Sequence, residues 1–180
     1  MRAARVIEQG RRVFLRAPQP DDEREFLALS RASRALHRPW VYAPETPREF
    51  AAHLHRCAGS TERCFLVCRR EDGAIAGVYN VSQIARGFFE SAYLGYYAFA
   101  PTAGQGLMAE GLELVLRHCF RKLKLHRLEA NIQPGNDRSK RLAQRAGFRY
   151  EGYSPRYLKI GGRWRDHERW AITREDWRGR

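Results

Sequence analysis

Gly104 and Gly106 stand on either side of Gln105, between a strand-like run ending Tyr97-Ala98-Phe99-Ala100 and a run of apolar residues at helical spacing. Strand, glycine-bearing turn and helix in that order leave bare backbone where the helix begins. The first four N–H groups of a helix have no partner within it and sit at the positive end of its dipole. The amides of Gln105, Gly106, Leu107 and Met108 are therefore expected to hold a phosphate-bearing ligand. A hydrogen bond to a charged acceptor contributes roughly 1.5–3 kcal/mol. The dipole adds roughly 0.3–1 kcal/mol, so the amides dominate. The same glycines would also serve a plain strand-to-helix connection that binds nothing. No Lys-Ser/Thr pair follows Gly106, which argues against a Walker-type loop. Position 109 is Ala, which breaks the dinucleotide fingerprint, and no acidic residue is spaced for a ribose.

The elements that must position this turn follow from periodicity and punctuation. Residues 13–16 read as a first strand, ended by Pro18 and Pro20. Residues 21–33 read as a helix, acidic in its first turn and apolar at Phe26, Leu27 and Leu29. Arg38-Pro39-Trp40-Val41 is a loop with an aromatic anchor. Thr46-Pro47-Arg48-Glu49 is a helix start with N-cap, proline and capping-box glutamate in place. Residues 64–68 and 74–82 are strands joined at Asp72-Gly73, which argues for antiparallel pairing. After the break at Arg86-Gly87, residues 89–99 form the strand that leads to the glycine turn. Beyond the turn, Leu112, Val115, Leu116, Cys119, Phe120 and Leu123 make the buried face of a helix, with Arg117, Arg121, Lys122 and Lys124 outside. Residues 128–132 alternate as a strand. Asn136 caps a short helix that Gly147 ends. Strands at 148–153, 158–160 and 167–173 close the chain, with a turn at Gly161-Gly162. The sum is an α+β fold: a single domain with a mixed, mostly antiparallel twisted sheet flanked by helices.

The 180 residues suffice for one domain with a sizeable core. Thirty-three Lys and Arg stand against 20 Asp and Glu, a formal charge of +13. The basic patches lie at Arg11-Arg12, Arg69-Arg70, 117–127, 138–149 and Arg163-Trp164-Arg165. Such a field draws polyanions: nucleic acid, a ribosomal particle or a phosphate-rich coenzyme. A generic solubility charge would read the same way, and no RNA-reading motif is present. No apolar run is long enough to span a membrane. The opening Met1-Arg2-Ala3-Ala4-Arg5 is basic, without the apolar core of a signal peptide, so a cytoplasmic location is expected. Cys64 and Cys68 face one side of a strand without a second pair to complete a zinc site. All four cysteines (57, 64, 68 and 119) read as small buried hydrophobes in a reducing compartment, with no metal.

Tyr93-Leu94-Gly95-Tyr96, Gly104-Gln105-Gly106-Leu107-Met108-Ala109-Glu110, Asn136-x-x-Ser139 and Ala146-Gly147-Phe148 together resemble the GNAT N-acetyltransferase superfamily. Leu125-His126-Arg127, Tyr157-Leu158 and Gly162-Arg163-Trp164-Arg165-Asp166-His167 extend the likeness toward its RimJ branch, the ribosomal-protein-alanine N-acetyltransferases. The likeness covers nearly the whole chain and is densest from Arg86 to Asp166. It implies acetyl-coenzyme A as donor, its diphosphate on the amides after Gly104. Its pantetheine arm would lie along the strand before the turn, beside Tyr97, Ala98 and Phe99. Asn136 and Ser139 match family positions near the coenzyme arm and thiol. One departure is Pro101, which stands where the family often has Gln or Arg and has no N–H to donate.

The resemblance also implies direct attack of a neutral amine on the thioester. Many relatives place a tyrosine acid where this chain has Ala143, which leaves Ser139 as the candidate donor. Many carry a glutamate where this chain has Tyr93, so the base is open among Glu90, Asn131, Tyr157 and Asp166. A weakly based enzyme suits an α-amine, with a pKa of about 7.7–8.0, better than a lysine near 10.4. The expected acceptor is a protein N-terminus, alanine of a ribosomal protein, with contact to ribosome or rRNA through the basic surface. The expected state is a monomer or homodimer. A small-molecule amine acetyltransferase and an RNA-associated ribosome-assembly factor are the competing readings.

Overall fold

The computed structural model describes residues 5–179; the basic opening, Met1 to Ala4, lies outside them. Eight strands form one sheet: β1 (Val6–Gln9), β2 (Val13–Arg16), β3 (Arg63–Arg69), β4 (Ile75–Ala85), β5 (Ser91–Ala98), β6 (Arg127–Ile132), β7 (Arg149–Ile160) and β8 (Arg163–Thr173). Their order across the sheet is β1-β2-β3-β4-β5-β6-β8-β7. Every described pairing is antiparallel except β5 with β6. The helices are α1 (Glu23–Ala32), α2 (Arg34–His37), α3 (Pro47–Cys57), α4 (Leu107–Arg121) and α5 (Asp137–Arg145).

Two cores hold the sheet between helix layers. On one face, Leu112, Val115, Leu116, Cys119 and Phe120 of α4 pack on Val13, Leu15, Phe65, Val67, Tyr79 and Val81. This is the apolar stripe read from the sequence, with Leu123 at its half-buried end. On the other face, Phe26 and Leu27 of α1 and Phe50 of α3 meet Leu66, Cys68, Val78, Tyr97 and Phe99. A fully buried Leu or Phe contributes roughly 1.5–3 kcal/mol. The capping box at α3 forms as expected, with the Glu49 N–H donating to Thr46 Oγ1 at 3.3 Å and the Thr46 N–H to Glu49 Oε2 at 3.0 Å. The Asp72-Gly73 turn joins β3 to β4, and the Asp72 carboxylate accepts from the Ala74 N–H and from Arg69.

Several expectations need correction. β1 carries no alternating pattern and is an exposed edge of four residues, so nothing marked it as a strand. β7 is one strand rather than two pieces. Register shifts between Tyr150 and Gly152 and between Ser154 and Leu158 carry it past Pro155, which an edge strand tolerates. Cys57 and Cys64 are not independent buried hydrophobes. The last turn of α3 and the start of β3 bring their Cα atoms to 5.3 Å, and the structure bonds them as a disulfide. Cys68 and Cys119 are buried and unpaired, as expected.

Candidate active site

The parallel pair β5/β6 creates the site by coming apart. Its register runs Ser91↔Arg127, Ala92↔Leu128, Tyr93↔Glu129 and stops. β5 continues beside β4 as far as Ala98, and β6 continues beside β8 as far as Ile132. The opening between their carboxyl ends is a cleft of about 1280 Å³. Ligands of α/β sheets settle in such crevices.

The edge of β5 facing this cleft is unpaired backbone. The Phe99 N–H donates to Ala76 O at 2.9 Å, on the β4 side. Strand amides alternate, so beyond the last paired residues Tyr96 and Ala98 turn theirs toward the cleft. His37 Nε2 lies 2.8 Å from Ala98 O and ties α2 to this edge. Of the three residues expected beside a pantetheine arm, Ala98 presents its backbone there. Tyr97 lines the cleft through its side chain, whereas Phe99 is fully buried in the core behind it.

At the head of the cleft, Gly104 and Gly106 adopt φ of 80° and 77°, and Gly106 is the N-cap of α4. The left-handed region favours glycine because a Cβ would crowd the following carbonyl. The Glu110 N–H donates to Gly106 O at 3.2 Å and closes the first turn. The N–H groups of Gly106, Leu107, Met108 and Ala109 precede that bond and have no partner within the helix. Gln105 differs from expectation. Its N–H faces Thr102 O at 3.5 Å, its side chain donates to Pro101 O and its carbonyl accepts from Arg12. Its amide is spent inside the turn, and Ala109 takes its place in the set.

Arg12 is the residue the sequence reading missed. Its Nη1 donates to Gln105 O at 3.0 Å, and its Nε donates to Glu110 Oε2 at 3.2 Å. Glu110 Oε1 in turn accepts from the backbone N–H groups of Arg12 and Val13. A guanidinium thus braces the turn before the helix, its charge paired with the Glu110 carboxylate. The dense Arg11-Arg12 pair was visible; its partner 98 residues away was not. Arg138, Arg141 and Arg145 of α5 also line the cleft. Their i, i+3, i+7 spacing puts them on one helix face.

Asn136 caps α5, its Oδ1 accepting from the Ser139 N–H at 3.2 Å. The Tyr96 hydroxyl donates to Ser139 O at 3.0 Å and so joins β5 to the start of α5. Burial pushes the Tyr96 phenol up to about 12. Ser139 lines the cleft, and its Oγ has no hydrogen-bond partner among the described residues. Ala143, which the resemblance matched to a tyrosine acid, is buried core.

Of the candidate bases, Asn131 and Tyr157 line the cleft and Glu90 and Asp166 do not. Glu90 is exposed in the turn before β5, and its carbonyl accepts from the N–H groups of His126 and Arg127. It places β6 rather than reaching the cleft. Asp166 accepts from the Tyr153 hydroxyl and the Arg156 N–H, which hold its carboxyl below the ordinary range. Tyr157 O–H lies 3.5 Å from Tyr93 O–H. That contact, then burial, pushes Tyr93 up to about 12. His167 lines the cleft with Nδ1 at 2.9 Å from Arg165 O, and burial lowers its pKa. Burial likewise lowers His37.

Two buried oxygens in the lining, Tyr97 Oη and Asn131 Oδ1, have no partner among the described residues. The open β5 edge and the α4 amides suit a long ligand carrying amides at one end and phosphates at the other.

The chain belongs to the GNAT family: the model described as an acetyltransferase (GNAT) domain matches residues 12–149. The protein is an acetyl-coenzyme A-dependent N-acetyltransferase of that family. It is 31% identical over 176 residues to the probable N-acetyltransferase YjcK of Bacillus subtilis, covering 93% of this chain and 97% of that one. It is 44% identical over 107 residues to the ribosomal protein uS5-alanine N-acetyltransferase of Escherichia coli, covering 59% of this chain and 55% of that one. Among solved structures, RimJ of Mycobacterium smegmatis in complex with CoA-disulfide superposes with a TM-score of 0.83 at 28% identity, over 91% of this chain and 82% of that one.

Acetyl-coenzyme A supplies an acetyl group already activated as a thioester. The chain's contribution is to bind that molecule and bring an acceptor amine to it.

Proposed function

We propose that this enzyme acetylates the α-amine of a protein N-terminus, with alanine of a ribosomal protein as acceptor, by direct attack of the amine on the thioester. The observation that carries this reading is the cleft's lack of a carboxylate base. Asp137 is the one carboxylate in its described lining, and Lys140 Nζ lies 3.2 Å from it. His37 and His167 are lowered by burial and engaged with backbone carbonyls. An acceptor must therefore bring much of its own neutral form. At pH 7 roughly a tenth of α-amines are uncharged, against under a thousandth of lysines. A polyamine acceptor would want an acidic groove, and this lining carries Arg138, Arg141 and Arg145.

In this reading, Gly106, Leu107, Met108 and Ala109 hold the diphosphate with Arg12 beside them. Ala98 and Tyr96 pair with the arm, and Tyr97 and Asn136 flank it. Ser139 protonates the departing thiolate, directly or through water. Asn131 holds a water that passes the amine's proton to solvent, and Tyr157, beside Tyr93, hydrogen-bonds to it. The Escherichia coli relative's name supports the ribosomal acceptor, which in turn implies a cytoplasmic place of action. The test is mass spectrometry of protein N-termini after incubation with acetyl-coenzyme A and candidate N-terminal peptides. Acetylation of an N-terminal alanine is the expected result. Acetylation confined to internal lysines or to small amines would overturn the reading.

A further inference from the structure

His53, Cys57 and Cys64 form a cluster on the side of the sheet away from α4, and none of them lines the catalytic cleft. His53 and Cys57 are four apart and share one face of α3. Cys64 opens β3 and meets them across the short link between the two elements. The ligand atoms of all three lie within 4.8 Å of one another. His53 Nε2 and Nδ1 are 3.6 and 3.8 Å from Cys57 Sγ. A tetrahedral zinc with Zn–N about 2.0–2.1 Å and Zn–S about 2.3 Å sets nitrogen and sulfur about 3.6 Å apart. The imidazole is packed against Phe26 and Phe50 at 5.8 and 6.4 Å. A neutral imidazole ligates zinc through either ring nitrogen. Cys57 and Cys64 border a second cavity of about 710 Å³ together with Arg63 and Lys122. The cavity supplies an entry path and room for a water as fourth ligand.

We propose that in the reduced protein His53, Cys57 and Cys64 bind one zinc ion, and that the Cys57–Cys64 disulfide is the oxidised alternative of the same site. A dithiol reductant gives two electrons and two protons to the S–S bond. That bond breaks, two protein thiols form and the reductant becomes its own disulfide. Zn²⁺ then displaces both thiol protons to solvent, forming two Zn–S bonds and a Zn–N bond to His53. The ion fastens the end of α3 to β3 as the disulfide does. Cys68 and Cys119 stay outside the exchange: both are buried elsewhere, and burial pushes the Cys68 thiol up to about 11.

The test uses the full chain, reduced with dithiothreitol and desalted without oxygen. Zinc is titrated in, with native mass spectrometry for stoichiometry and thermal unfolding for stability. One zinc per chain and a higher Tm are expected. Cys57→Ser and Cys64→Ser should each bind roughly a hundredfold more weakly or worse, since even a metal's outer-shell partners are worth roughly 10–100-fold. His53→Gln should do the same. If that buried change prevents folding, Cys57→Ser, at a half-buried position, decides alone. A reduced wild type that binds zinc no more tightly than Cys57→Ser overturns the proposal, and so does a disulfide that resists the dithiol.

Discussion

Ser139 shows how little a residue's role depends on its own hydrogen bonds in the fold. Its N–H is held by Asn136 and its carbonyl by Tyr96, while its hydroxyl is left to the cleft. Ser139→Ala should therefore leave the start of α5 intact. Steady-state kinetics should show kcat down roughly a hundredfold, the range of a lost proton donor, with KM for acetyl-coenzyme A changed by less than about twofold. Unchanged kcat would remove Ser139 from the chemistry. The acceptor's own ionisation should dominate the pH profile, because the cleft histidines are lowered by burial and the Tyr93 phenol is raised to about 12. The neutral amine fraction grows with pH, so kcat/KM for an N-terminal peptide should rise about tenfold per unit and level off near 7.7–8.0. A rise continuing toward 10 would point to a lysine acceptor.

The element that matters most is the junction of β5 with α4. Gly106→Ala would put a Cβ at φ 77° and 3.2 Å from Arg12 Nη2. The left-handed conformation alone costs roughly 1–2 kcal/mol, and the displaced guanidinium adds to the loss. Calorimetric titration should show acetyl-coenzyme A binding weakened roughly tenfold or more, with the folded far-UV signal retained. Arg12→Ala should also weaken binding, without the backbone strain, because the contact proposed between Arg12 and the diphosphate, roughly 1.5–3 kcal/mol, is removed. An affinity equal to wild type would mean that Arg12 only braces Glu110 and the turn. Behind the junction, Gly77 lies under Met108, where a Cβ would meet the thioether and also Tyr97 O at 2.7 Å. Close helix-to-sheet contact there sets the height of the α4 amides above the cleft.

For the whole molecule, acid should be the weak point. Burial lowers the pKa of His37, His53, His118 and His167 in the folded state. Between about 4 and 6.5 the unfolded chain binds the proton that folded His53 refuses, so stability present above pH 6.5 is lost as pH falls toward 4. His53 alone contributes roughly 3 kcal/mol to that loss, and the other three act with the same sign. Urea midpoints at pH 7.5 and 4.5 should differ accordingly; equal midpoints would mean that these rings are solvated. No helix among the described residues is long and apolar enough to cross a membrane.

Local signals carried the individual elements. Thr46-Pro47-Arg48-Glu49 announced α3, the apolar stripe from Leu112 to Phe120 announced α4, and the glycines at 104 and 106 announced the turn between β5 and α4. Each rests on interactions within about four residues, and such interactions are written in consecutive letters. The ordered motifs likewise carried the family, and with it acetyl-coenzyme A. Tertiary structure alone decided where β5 and β6 separate, because a register ends where distant strands diverge in space. It alone set Arg12 against Glu110, withdrew Glu90 from the cleft and joined Cys57 to Cys64 beside His53. Apart from His53 and Cys57 on one face of α3, these are contacts between segments that no period in the sequence relates, and only packing of the whole sheet fixes their distances.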